Sequence, residues 1–199
     1  MADCIYLSLW FPTFSTAEML PRALSLMKRF PFSEQRPGIG YVGVHAVSFN
    51  EPVIFQETFD FRADPEHAIR IASEFLHDDN AYEFEAMWDL WVPTDEDDSR
   101  WIARPQPVTF LVHGLRFDDG LYQQHGHIQL DLGLDVPFVA EEVDLTPEAQ
   151  ARIRQNLQKL VAFTSRLEKQ GGISGRVLWS ESEDETLAQK LLAKLQVKH

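Results

Sequence analysis

Tyr82-Glu83-Phe84-Glu85-Ala86-Met87-Trp88-Asp89-Leu90-Trp91-Val92 alternates with a period of two residues. Tyr82, Phe84, Ala86, Trp88, Leu90 and Val92 fall on one side, and Glu83, Glu85, Met87, Asp89 and Trp91 on the other. Side chains of a strand point alternately to its two faces, so this pattern specifies a strand with one face in a core and one toward water. The elements around it follow from the same kind of reading. Cys4 to Trp10 is a buried apolar strand. Ser15 and Glu18 have the spacing of a capping box and open a helix carrying Met19, Leu20, Leu24, Met27 and Phe30, with Pro21 inside it. Tyr41 to Phe49 and Val53 to Phe61 read as a hairpin. Asp64-Pro65 opens a second helix, which ends at Asp78-Asp79-Asn80.

Beyond Val92 the stretch Val108 to Phe117 and the stretch Ile128 to Leu134 are strands. Asp119-Gly120 reads as a two-residue turn between them. That turn pairs Leu111 with Ile128, Thr109 with Leu130 and Phe117 with Tyr122, and it sets His113 opposite Gly126, on the other face from His125 and His127. Thr146-Pro147 opens the longest helix, to about Lys169, and Gly171-Gly172 closes it. Gly175 to Ser180 is a short strand, and Ser182 with Glu185 opens a last helix to about Leu195. The fold class is α+β, a mixed or mostly antiparallel sheet with helices packed on it. Its first half has the βαββαβ order of a ferredoxin-like unit, followed by ββαβα. Residues 1–199 make a single domain, with 93–106 as the place where a sub-domain boundary would fall (Pro93, Pro105 and Pro107).

Composition narrows the function. The net charge is −13, and twelve of the acids lie between Asp64 and Asp98 against one base, Arg70. Phosphate recognition needs clusters of Lys and Arg that this chain lacks, so nucleic acid is not an expected partner. Cys4 is the only cysteine. It forms no disulfide within the chain and no cysteine-based zinc site. No signal sequence or apolar run long enough for a membrane span is present, and the expected location is the cytoplasm.

Three groups of residues carry possible chemistry. The first is the face Glu83, Glu85, Met87, Asp89 and Trp91, where acids alternate with a large aromatic, a pattern suited to engaging a basic protein partner. The second is His125-Gly126-His127 with Asp131. On a strand these place two imidazoles and a carboxylate on one face, a donor set for zinc or another divalent metal and for hydrolysis. The third is Arg152, Lys159 and Arg166, seven residues apart on the long helix, either an anion-binding stripe or a solvated face. Gly171 to Gly175 precedes a strand, the reverse of a phosphate-binding glycine loop. No catalytic motif is present and no cofactor is implied. The reading is therefore a non-enzymatic binding or interaction protein, an inhibitor or immunity-like partner of a basic protein. The alternative is a metal-dependent hydrolase built on the His-x-His strand.

Overall fold

A computed structural model describes residues 3–94, 100–139 and 146–180. The described elements are β1 (Cys4–Trp10), α1 (Thr16–Met27), β2 (Ile39–Ala46), β3 (Val53–Ala63), α2 (Pro65–Ser73), β4 (Asn80–Pro93) and β5 (Trp101–His113). They continue with the short helix α3 (Tyr122–His125), β6 (Ile128–Leu134), α4 (Pro147–Gln170) and β7 (Gly175–Ser180). The expected helix from Ser182 and the acidic run Asp95 to Asp98 lie outside the described residues. Among the described residues no helix is long and apolar enough to cross a membrane.

The strands form one sheet in the order β3-β2-β4-β5-β6-β1-β7, and every neighbouring pair is antiparallel. This corrects the ferredoxin-like expectation. In such a unit β1 would pair within the first half of the chain; here it lies between β6 and β7. The apolar residues Ile5, Leu7 and Leu9 are fully buried, and a strand that apolar gains most from two flanking neighbours. Within the stretch 93–106, Pro93 ends β4 and residues 101–106 belong to β5, with Pro93 opposite Trp101.

The period-two reading of 82–92 holds. Tyr82, Phe84, Ala86, Trp88, Leu90 and Val92 are buried, and the residues between them are half-buried or exposed. Opposite them on the same face lie Val108, Phe110 and Val112 of β5, continued by Ile128, Leu130 and Leu132 of β6. Helices α1, α2 and α4 all pack on this side. Phe30, at the end of α1, makes edge contacts with Trp88, Phe110 and Phe163 of α4.

Local signals fix the helix starts. Glu18 accepts from the Ser15 backbone N–H (2.9 Å) and hydroxyl (3.0 Å). With the Thr13 hydroxyl, these bonds hold its carboxyl down at about 2. Asp64 accepts from the His67 N–H at 2.8 Å, and Thr146 from the Ala149 N–H at 3.2 Å, each satisfying a donor the first turn leaves free. Pro21 is accommodated within α1.

The β5–β6 register differs from expectation. Thr109 faces Asp131 and Leu111 faces Gln129, one residue away from the pairing that a two-residue turn at Asp119-Gly120 requires. The chain instead spends residues 114–127 on a 3-10 turn and α3. Core packing explains the slip. A shift of one residue would turn Phe110 and Val112 away from the helices and bury Leu111 and Thr109 in their place. His113 therefore lies opposite His127, its N–H bonded to the His127 carbonyl at 3.0 Å, on the face that the sequence reading denied it.

Candidate functional site

With three helices on one side, the other face of the sheet carries, among the described residues, no helix longer than the single turn α3. Register assembles that face into rows running across the strands, about 4.8 Å apart from strand to strand. One row is Tyr41, Glu85, Thr109, Asp131, Tyr6 and Trp179. The next is Gly43, Glu83, Leu111, Gln129, Ser8 and Val177. The third, at the end of the face, is His45, Ala81, His113 and His127.

The first two rows bring the carboxylates of Glu83 and Glu85 and three aromatic rings together, while Gly43, Ser8 and Gln129 of the second row are buried. Glu85 is exposed and the Glu83 side chain is 25% exposed. Tyr41 lies opposite Glu85, and burial, then the charges of Glu83 and Glu85, pushes its hydroxyl above its ordinary range. Arg62 reaches over Gly40, where a Cβ would fall 2.6 Å from its Nη1. It donates to the carbonyls of Gly38 and Glu85, both at 3.3 Å. Tyr6 stacks on Trp179 at 4.6 Å, and the Trp179 indole N–H donates to Ser8 Oγ at 3.0 Å. Aromatic faces beside carboxylates suit contact with Lys and Arg side chains.

The five residues read as one acidic face separate into two environments. Glu83 and Glu85 belong to the first two rows. Asp89 and Trp91 lie where β2 no longer flanks β4, and α4 has moved onto the strand's free edge. Asp89 Oδ2 accepts from the Glu34 N–H at 2.9 Å, and Lys159 donates to the Asp89 carbonyl at 2.7 Å. The Asn156 side chain stands in for a strand: its Oδ1 accepts from the Trp91 N–H at 2.9 Å and its Nδ2 donates to the Trp91 carbonyl at 2.7 Å. The Arg152 guanidinium lies 3.7 Å from the Trp91 ring centroid. Met87, half-buried, lies between the two environments, its carbonyl accepting from the Ser33 N–H at 2.7 Å.

Arg152, Lys159 and Arg166 are thus structural contacts along α4; Arg166 donates to the Arg29 carbonyl at 3.2 Å. Lys159 and Arg166 line a groove of about 260 Å³ with Glu34, Asp89, Trp88 and Phe163.

The imidazoles and carboxylate chosen as metal donors lie apart. His125 ends α3 and is not on a strand; its ring lies 5.5 Å from Trp179. His127 is stacked between Phe14 (4.3 Å) and Tyr122 (4.9 Å), and its Nδ1 accepts from the Phe11 N–H at 3.0 Å. Asp131 Oδ1 accepts from the Gly133 N–H at 2.8 Å. Among the described residues, the one group of imidazole and carboxylate atoms close enough to share an ion is His77, Asp78 and Asp79. Arg116 already bridges its carboxylates, at 3.1 Å to Asp78 and 2.8 Å to Asp79.

Sequence reasoning missed Tyr41 and Asn156, found no partner for His45, and set His113 opposite Gly126 when it lies opposite His127. No local signal marks them, because each acquires its role from a strand or helix distant in the chain. No protein-family model matches this chain, and neither a curated protein nor a solved structure matches it.

Proposed function

We propose that this chain is a non-enzymatic binding protein whose sheet face opposite α1, α2 and α4 receives a basic protein partner, in the manner of an inhibitor or immunity-like protein of the cytoplasm. The observation that carries this reading is the pair Glu83 and Glu85, at least partly exposed on the face away from α1, α2 and α4 and sharing its rows with the half-buried rings of Tyr41, Tyr6 and Trp179. The net charge of −13 supports it, since a field of that sign accelerates encounter with a basic protein and repels nucleic acid. Trp91 and Met87 border the face, with Arg152 taking the Trp91 ring as its platform.

The test is partner capture followed by reconstitution. A protein captured from lysate is purified and titrated against the wild-type chain and against the double variant Glu83→Lys, Glu85→Lys. Binding at least ten-fold weaker in the variant, with a flatter dependence on salt, is the expected result. Equal affinity for both chains, or no saturable partner, sinks the proposal.

A further inference from the structure

The row His45, Ala81, His113, His127 closes one end of the open face. His113 has no exposed surface. Its Nδ1 donates to the Gly126 carbonyl at 2.8 Å, which fixes the neutral tautomer and leaves Nε2 as a lone pair. That Nε2 is buried and, among the described residues, has no partner. On β2, two strands away, His45 Nε2 meets Glu83 Oε2 at 3.1 Å while its Nδ1 is also buried without a partner. Ala81 between them is too small to fill the slot, and Phe49 covers it. Its ring lies 5.0 Å from His45, 6.1 Å from His113 and 4.9 Å from Phe117. Phe49 is itself 39% exposed, so it is the layer between these imidazoles and water.

The segment holding Phe49 is strained. Val47 has φ 68°, a left-handed conformation that a β-branched residue rarely adopts. Two backbone bonds pin it, Val47 N–H to the Asp79 carbonyl (2.9 Å) and Asp118 N–H to the Val47 carbonyl (2.7 Å). Asp118 and Asp119, on the opposing segment, are left-handed as well, at φ 46° and 53°.

We infer that residues 47–52 and 114–121 form an acid-released latch on the end of the binding face, with His113 as the group whose protonation opens it. The reading that this face binds a partner supplies the latch's purpose, and this inference rests on it in that respect. A proton added at Nε2 creates an N–H with no acceptor, among Phe49, Phe117 and the ring of His127. Among the described residues no carboxylate pairs with it. Glu83 is engaged by His45, and Asp78 and Asp79 by Arg116. Asp118, Asp119 and Glu51 lie on the covering segments without a bond to the ring, and His125 and His127 oppose a further positive charge. Ring faces of Phe offset little of such a cost. The charged imidazole therefore has to reach water, and lifting Phe49 provides the route, relieves the strain at Val47 and frees the Glu83–His45 pair for a partner.

Hydrogen exchange of the full chain, read by mass spectrometry at pH 7 and pH 5 and corrected for the chemical exchange rate, tests this. Imidazole moves from an ordinary value of 6.5 in the open form to about 4 in the closed form. The 47–52 amides should therefore open on the order of 20-fold more at pH 5. The amides of 82–92 should change little, and in His113→Leu the acceleration at 47–52 should vanish. Equal acceleration in the variant, acceleration shared by 82–92, or none in wild type overturns the latch. If circular dichroism shows the variant unfolded, proton NMR of the wild type decides. The His113 and Phe49 ring signals should move together, well below pH 6; an ordinary His113 titration, or a Phe49 that does not respond, overturns it. Exchange contains no partner, so its failure leaves the binding proposal standing. Unchanged capture by the Glu83→Lys, Glu85→Lys variant sinks that proposal alone.

Discussion

His113 shows how much one ring can decide. Burial pushes it down to about 4; the hydrogen bond to the Gly126 carbonyl pulls the other way, and the neighbouring charges of His125 and His127 add smaller downward contributions. The unfolded chain, with its imidazole at the ordinary value, takes up a proton between pH 6.5 and 4 where the folded chain does not. Stability is complete above that window and falls as acid is added through it. The ceiling on the loss is about 3 kcal/mol by pH 4, and opening of the latch lowers it. Urea titrations of wild type and His113→Leu at pH 7 and pH 4.5 check this: the wild type should lose more stability between the two pH values. His127, lowered in the same direction by burial, contributes with the same sign. None of this was legible in the sequence. Leu111 and Thr109 offer nearly as plausible an inner face for β5 as Phe110 and Val112, and a single slip between those options decides whether His113 meets His127 or Gly126. Glu83 and Glu85 were legible, because alternation within one strand is enough to place them.

At the scale of elements, α4 is both a packing layer and a substitute strand. Asn156 is fully buried and bonds the N–H and carbonyl of Trp91 as well as the Pro137 carbonyl at 2.8 Å. Asn156→Leu removes every one of these partners and should destabilise the protein by about 3 kcal/mol. The exposed substitution Gln158→Leu should stay within about 0.5 kcal/mol. The two urea midpoints, compared directly, check the prediction, and equal midpoints refute it. The helix itself was legible through Thr146-Pro147 and the stripe Ile153, Leu157, Leu160 and Leu167, since caps and periodicity are local. The inward turn of Asn156 was not. A polar residue on a helix acquires such a partner only from an edge 65 residues earlier in the chain. The Asp119-Gly120 reading failed for a related reason: the dipeptide has turn chemistry, but its surroundings built a 3-10 turn and α3 instead of a tight hairpin.

For the molecule as a whole, a net charge of −13 repels itself when compact. Raising sodium chloride from about 10 mM to 0.5 M shortens the screening length from roughly 30 Å to a few ångström. The melting temperature at pH 7 should rise accordingly, and a fall on adding salt would contradict the charge argument. The same salt should weaken capture of a basic partner, so the two measurements move in opposite directions. The position of β1 has a further consequence, which concerns synthesis. Cys4–Trp10 emerges from the ribosome more than a hundred residues before β6 and later still before β7, its two neighbours. At about 5–20 residues per second, Ile5, Leu7 and Leu9 wait for several seconds at least with both edges of their strand unpaired. During that interval the nascent chain is a client for chaperones, and an arrest before Ile128 would release a product with an orphaned apolar strand ready to pair with its own kind.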